Sequence, residues 1–472
     1  MKLHIANLGA VKEATIDLSK KLIVFSGPNG TGKTYAAYVV YAVTNLKNKG
    51  LFFPSSGPDW RTLFDTGKEE KTIHAQDVYH FRKNEIERVC KEANNIFSVS
   101  EERRDEFFGD FQMDTCDSEE EFALEYHAKQ ISATINFGVE GFRVEKLPNS
   151  NKVIVEIQRQ DIGLKEFNGF VHHALYGQVL ARLAFSPITA NTILPVERNS
   201  IYTFAKELSL RRQTLVDQMQ AVANSMHSVQ NENALVDLLF KRSVRYPEPI
   251  REALIVADDL TAISKIKGPY YSFAKDLEGD VLNGSVIIGK DGDVQFASNR
   301  AKTKKLSIYL SSSSVKTLSS LVIYLKHIAQ PNDLIIIDEP ELNLHPDNQI
   351  LLARLFARLI NKGLRLLIST HSDYIIRELN NLIMLSSKEP RVAEVAKEYG
   401  YQHDEHIAPD DIGAYLFHFK KSNSRTVIVE DIPVADNGFE VSTIEATIKS
   451  MNEVSEELFY NLRHGNRYNE QA

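Results

Sequence analysis

The sequence predicts an α/β protein in which a mixed sheet is flanked by helices and built around a phosphate-binding loop. A β-hairpin subdomain stands at the N-terminus, and a mostly helical insertion splits the sheet. Two segments roughly three hundred residues apart carry this prediction. KLIVFSGPNGTGKT runs from an apolar strand over 22–25, through a glycine-rich loop over 27–34, into an apolar helix over 35–43. LIIIDEPELNLHP is a second apolar strand, over 334–337, that ends in Asp338 and Glu339. Short continuous aliphatic runs bounded by turn residues are the pattern of strands covered on both faces.

The chemistry of the two segments is complementary. In the loop, Gly27, Asn29, Gly30 and Gly32 let backbone N–H groups face phosphate oxygens; Lys33 reaches the β and γ oxygens, and the Thr34 hydroxyl ligates Mg²⁺. In the second segment Asp338 sets one carboxylate by the metal, and Glu339 sets another where it can orient or activate water. A chance match to the loop pattern in a chain of this length is on the order of a per cent or two. Here the match also follows a strand and opens a helix, the setting that its mechanism requires. Together the halves form a site for ATP and its hydrolysis.

Composition bounds the rest. At 472 residues there is room for two or three domains and a substantial core. A hydrophobic fraction of 43% and a charged fraction of 25% are those of a globular protein. The net charge of -8 provides no global attraction to nucleic acid or anionic lipid, so any such surface is a local patch. Cys90 and Cys116 lie in a stretch read as polar and helical, without zinc or redox spacing, which suits a reducing compartment. The first residues alternate like strands and lack the apolar core of a signal peptide. No apolar run approaches about eighteen residues. The expectation is a cytoplasmic protein with no membrane span.

The elements follow in order. Residues 1–58 form the first ATPase half, with a hairpin (2–8 and 14–18), the core strand, the loop and its helix. Residues 59–300 form the insertion. It reads as helical over 84–93, 101–107 and 118–128, where Ser118 and Glu121 suggest an N-cap with first-turn carboxylates. Alternating stretches over 132–145 and 152–158 read as one hairpin turning at 148–151. An apolar strand lies near 190–197, with Glu197 and Arg198 at its end either beside the site or in a structural ion pair. A helical stretch over 203–242 carries Leu208, Leu215, Met219 and Val222 as a core stripe, and a hairpin turns at 290–293. Residues 301–430 form the second ATPase half. Within it, LSIYLSSSSVKTLSS reads as a short strand, a serine run and a helix start, whose hydroxyls and free N–H groups suit either a plain N-cap or an anion. LRLLISTHSDYII is a further apolar strand ending near His371, placed to contact a γ-phosphate or an attacking water. Residues 431–472 form a C-terminal helical segment.

As a set and in this order, GPNGTGKT, the serine run, LIIIDEP, ELNLHP and STHSDYII resemble ABC-type ATPase domains of the RecF, SMC and OLD-like group. The resemblance covers roughly 1–50 and 305–430. It implies two nucleotide domains enclosing two ATP molecules. Lys33 and Thr34 would hold phosphate and Mg²⁺, Asp338 would hold the metal, Glu339 would be the catalytic base and His371 the switch histidine. Ser313 or Ser314 would reach across to the nucleotide of a second copy, and residues 341–345 would form the loop between the two sites. The chain departs from the pattern in three ways. Ser-Ser-Ser-Ser-Val-Lys replaces the usual glycine pair, which leaves open which serine faces the nucleotide and adds Lys316 as a candidate source of charge. No glutamine loop can be assigned. The insertion is too short for SMC coiled-coil arms and has no Cys-x-x-Cys hook.

The same resemblance extends to ATPase subunits of bacterial anti-phage systems, Septu, PARIS and retron-associated ones, which pair with a separately encoded nuclease or toxin. After His371 no nuclease motif is legible, and a self-sufficient nuclease is the reading least favoured. The partners implied are a second copy, or a higher homo-oligomer, and such an effector. The alternative is a RecF- or SMC-like clamp on DNA in repair, with Lys241, Arg242, Arg245 and Arg251, and a second cluster at Lys302, Lys304 and Lys305, as candidate contacts; a solvated face explains the same charges.

Overall fold

The computed structural model describes residues 1–46, 49, 60–137, 140–158, 169–204, 246–300, 305–421 and 424–464. A nine-stranded mixed sheet organises it. Across the sheet the strands run Gln112–Thr115, Lys2–Leu8, Val11–Asp17, Val427–Ile432, Ile412–Phe419, Leu22–Ser26, Arg365–Thr370, Leu334–Asp338 and Asn191–Leu194. The last five are mutually parallel. The hairpin side is antiparallel, apart from the parallel junction of Val427–Ile432 with Val11–Asp17.

The parallel strands at the centre are buried along their whole length. Period-two alternation divides their side chains between the two faces. Ile23 and Phe25 join the core formed with the phosphate-loop helix Lys33–Thr44. Leu22 and Val24 join the core beneath helices Ser313–Ile323 and Pro346–Asn361. Parallel strands require crossovers, and helices packed on both faces provide them.

Chain from the middle of the sequence enters this sheet at both edges, as Gln112–Thr115 and as Asn191–Leu194. Only the second is marked by its sequence, because Gln-Met-Asp-Thr is short and polar. Asn191 is tied to the phosphate-loop helix: its Nδ2 donates to Tyr41 O at 2.7 Å and to Thr44 Oγ1 at 2.8 Å. A separate antiparallel sheet orders Lys68–Thr72, Lys152–Ile157, Glu140–Lys146 and Ile131–Phe137.

This sheet corrects the single-hairpin expectation, since the stretch 132–145 is two paired strands. Alternation persists through a chain reversal and does not reveal it. The polar strand Lys68–Thr72 carries no β-type pattern and is visible only through its pairing. Cys116 lies exposed beyond the strand Gln112–Thr115, not in a helix. Ile308–Leu310, read as strand, forms a 3₁₀ turn after the strand Lys305–Ser307. Ile412–Phe419 is a core strand that the sequence reading did not mark, paired in parallel with Leu22–Ser26. The core stripe at Leu208, Leu215, Met219 and Val222, and the basic residues Lys241, Arg242, Arg245, Lys302 and Lys304, lie outside the described residues. Among the described residues no helix is long and apolar enough to cross a membrane.

Candidate active site

The site is assembled at the C-terminal ends of three adjacent parallel strands, where open α/β sheets place their ligands. Leu22–Ser26 leads into the glycine loop, Leu334–Asp338 ends at the carboxylates, and Arg365–Thr370, between them, ends at His371. The strands finish in register, with Thr370 opposite Ser26 and Asp338 opposite Ser369. Glycine is required at two loop positions. Gly27 has φ 132°, and a Cβ there would lie 2.0 Å from the Phe417 carbonyl oxygen. Gly32 has φ 86°, and its Cβ would press on Val11 at 2.8 Å.

Two distant motifs meet directly. Thr34 Oγ1 donates to Asp338 Oδ2 at 2.8 Å, across 304 residues of sequence. The other Asp338 oxygen accepts from Ser369 Oγ. Lys33 is 6% exposed, and its Nζ donates to the Gly27 and Pro28 carbonyls, both at 2.8 Å. Burial pushes its pKa down to about 8, against the pull of Asp338, Glu339 and Glu341. The ammonium is thus folded onto its own loop by carbonyls that a phosphate oxygen can replace.

Glu339 follows the strand with φ 48°, left-handed for a residue with a side chain. Such a conformation costs on the order of 1–3 kcal/mol and persists only where its surroundings hold it. Its N–H donates to Ser369 O at 3.0 Å. Arg198 supplies the remaining restraint. This buried guanidinium donates to the Asp338 and Glu339 carbonyls, each at 2.5 Å, and to Pro195 O at 3.0 Å. Burial lowers its pKa to about 10, which leaves it charged at neutral pH. Of the two readings left open for Arg198, the residue is beside the site, and it grips backbone carbonyls there. Glu197, next to it, is not among the residues that line the cleft.

His371 Nε2 lies 3.6 Å from Glu339 Oε1. Burial, and then the Lys33 charge, hold its pKa below the ordinary histidine value, so the ring is neutral near pH 7. Glu341 anchors this edge, its Oε1 accepting from the His371 N–H at 2.6 Å and from Thr370 Oγ1 at 2.9 Å. Two residues on, Asn343 Nδ2 donates to Thr317 Oγ1 of helix Ser313–Ile323 at 3.2 Å. The 341–345 segment therefore touches both the cleft and the serine-bearing helix.

The open cleft has about 910 Å³ of space and is lined by Asn29, Gly30, Gly32, Lys33, Thr34, Tyr35, Asp338, Glu339 and His371, among others. Tyr35 was not singled out from the sequence, although it directly follows the loop. It is 47% exposed, with its ring 4.9 Å from Phe97. Ser369 was likewise missed; its signal was a hydroxyl near the end of an otherwise aliphatic strand. Ser313 and Ser314 do not line the cleft of their own chain. Ser312 is the cap of their helix, accepting from Val315 N–H at 3.4 Å and lying 3.0 Å from Ser314 Oγ. A second cavity, about 540 Å³ and mainly apolar, lies between Tyr41, Leu194, Arg198, Tyr202 and Tyr324.

For Mg²⁺ the donor set is suitable. A hydroxyl and a carboxylate stand side by side, both hard oxygen donors, and the ion commonly takes few protein ligands, with water and phosphate completing its shell. Three carboxylates (Asp338, Glu339, Glu341) face two cations (Lys33, Arg198), so the site has negative charge for a divalent ion to offset.

The family model described as "AAA ATPase domain" matches residues 1–376, a span that includes Lys33, Asp338, Glu339 and His371. No curated protein matches the chain. Similar solved structures include an SmcHead bound to the C-winged helix domain of ScpA, 12% identical with a TM-score of 0.34, covering 92% of this chain and 98% of that one. Another is the Smc head domain with an extended coiled coil bound to the C-terminal domain of ScpA derived from Pyrococcus furiosus, 11% identical, TM-score 0.32, covering 96% and 98%. A third is the SMC head domain from Thermotoga maritima, 10% identical, TM-score 0.30, covering 91% and 98%. Scores this low carry no argument of their own. The family match spans well over half of the sequence, and the chain belongs to the AAA ATPase domain family of ATP hydrolases.

Proposed function

We propose that this ATPase closes as a dimer around two ATP molecules and uses that closure to control a separately encoded effector. The observation that carries the reading is the Thr34–Asp338 hydrogen bond, 2.8 Å long, which joins the phosphate loop to the acidic strand end. In this reading Gly27, Asn29, Gly30, Gly32 and Lys33 hold the phosphates, and Thr34 and Asp338 hold Mg²⁺. When bound, Mg²⁺ supplies positive charge to the β and γ oxygens. Glu339 takes the proton from the attacking water, and neutral His371 beside it directs that water or the γ-phosphate. Tyr35 offers an aromatic face at the mouth of the cleft to the nucleobase.

Ser313 and Ser314 act on the nucleotide of a second copy. Ser313 is exposed, Ser314 is half-buried and neither lines its own cleft, which supports that role, and the Asn343–Thr317 contact gives the 341–345 loop a route between the two halves. Cleavage of the shared γ-phosphate then removes what bridges the subunits.

Glu339→Gln with Mg²⁺-ATP tests the clamp. It should bind ATP, stop hydrolysing and accumulate as a dimer; hydrolysis at the wild-type rate would remove Glu339 from the base role. The effector reading, a subunit of a bacterial anti-phage system, rests on the similarity of the motif set to such ATPases. Purification from the native operon tests it: a stable protein, fully active with nothing bound, would defeat the reading. A DNA clamp would instead show ATP-dependent duplex binding that weakens steeply with salt.

A further inference from the structure

Among the described residues, helix Ser442–His464 meets the core at its start. Val441 is buried and Ile444 packs against the core, but every residue from Lys449 to Arg463 is exposed. The exposed stretch is rich in large apolar side chains. Met451 is 66% exposed, Leu458 61% and Leu462 82%, with Val454 and Phe459 beside them.

Their spacing is regular. Ile444, Ile448, Met451, Ser455, Leu458 and Leu462 alternate steps of four and three, the 3.5-residue repeat that keeps one seam facing a partner helix. Ser455 is the only polar residue in the seam. Charge is distributed to match. From Lys449 onward, the positions flanking the seam are Asn452, Val454, Phe459 and Asn461, none of them charged. Lys449, Glu453, Glu456, Glu457 and Arg463 all lie on the outer face.

We propose that this stripe pairs with the same helix of a second copy of the chain, as a two-helix coiled coil that joins subunits without nucleotide. Apart from Glu445 beside the anchored start, the flanks are neutral, so two copies meet along the rest of the seam with no like-charge repulsion. A different partner chosen by charge would require acids or bases at those flanking positions. An anionic membrane surface is disfavoured, because the polar face carries more glutamate than lysine or arginine. The seam is about five turns long and is interrupted by Ser455, so the pairing is weak alone. Its consequence, which rests on the clamp reading, is a high effective concentration of one ATP-binding cleft near the other.

Sedimentation of the full chain without nucleotide tests the pairing. The wild type, Lys33→Ala and an outer-face control, Glu453→Ala/Glu456→Ala, should be dimers. Met451→Glu/Leu458→Glu should be monomeric, while its unchanged ATP binding shows that the body is folded. A wild type that is monomeric at the highest workable concentration overturns the proposal. So does a dimer that survives the stripe substitutions, or a stripe occupied only by a co-expressed second protein. Adding Mg²⁺-ATP to the stripe variant in a Glu339→Gln background separates the two ideas: failure to dimerise there counts against the clamp and not against the helix pair.

Discussion

The strand-end cleft and the start of helix Ser313–Ile323 both present hydroxyls and free backbone N–H groups, yet they differ in how those groups are held. Around the cleft several polar groups already have a partner from elsewhere in the chain: Thr34 on Asp338, Asp338 on Ser369, Glu341 on His371, Arg198 on two carbonyls. At the helix start, among the described residues, the serines bond to one another and to nearby backbone: Ser312 to Ser314, Val315 N–H to Ser312, and Ser311 to Ser307 O. One region is preorganised within a single chain and the other is left open. That difference teaches where a second copy would be needed, since a preorganised site has little to gain from a partner and an unpaired one has much.

The comparison can be broken from either side. The largest effect is expected from Lys33→Ala, which removes the ammonium from the cleft lining; nucleotide binding by calorimetry should vanish, and with it turnover. Next, Glu339→Gln should lower the hydrolysis rate by about 10³-fold while leaving ATP binding intact. A Ser313→Ala/Ser314→Ala variant should lose about 10²-fold in turnover with nearly unchanged affinity in the monomer. Unaltered turnover would reduce these serines to a helix cap.

Smaller effects sharpen the cleft side. Arg198→Met leaves buried carbonyls at Asp338 and Glu339 unpaired, and denaturant unfolding should show a loss of about 1–3 kcal/mol, with kcat falling more than ATP affinity. The smallest is a pH effect on His371. Its folded pKa is depressed below 6.5, so the unfolded chain takes up the proton first as pH falls. Stability from this group is therefore complete above about pH 6.5 and lost as pH drops through the folded value. The fall in Tm on acidification should be shallower in His371→Gln; an identical slope would show that the ring is not held neutral.

Much of the cleft was legible in the sequence because its parts are local. Gly27 and Gly32 announce a backbone that only glycine adopts, and LIIID and RLLIST announce strands buried on both faces. The brace by Arg198 was less legible, because a basic residue at a strand end looks the same whether it pairs with a carboxylate or grips carbonyls. Tyr35 was hidden by its neighbours, since a tyrosine in an apolar helix start resembles core. The strand Gln112–Thr115 could not be seen at all: polar and four residues long, it is a strand only because Lys2–Leu8 has an open edge.

The sequence by itself determined which donors and acceptors the protein has for a nucleotide, since motif spacing, glycine placement and aliphatic runs act over a few residues. Tertiary structure alone decided that Thr34 and Asp338 touch across 304 residues, that the His371 strand lies between their strands, and that Arg198 holds Glu339 in a left-handed turn. The physical reason is that strand order and register come from how whole faces pack and pair. No short stretch of chain encodes which neighbour it will find.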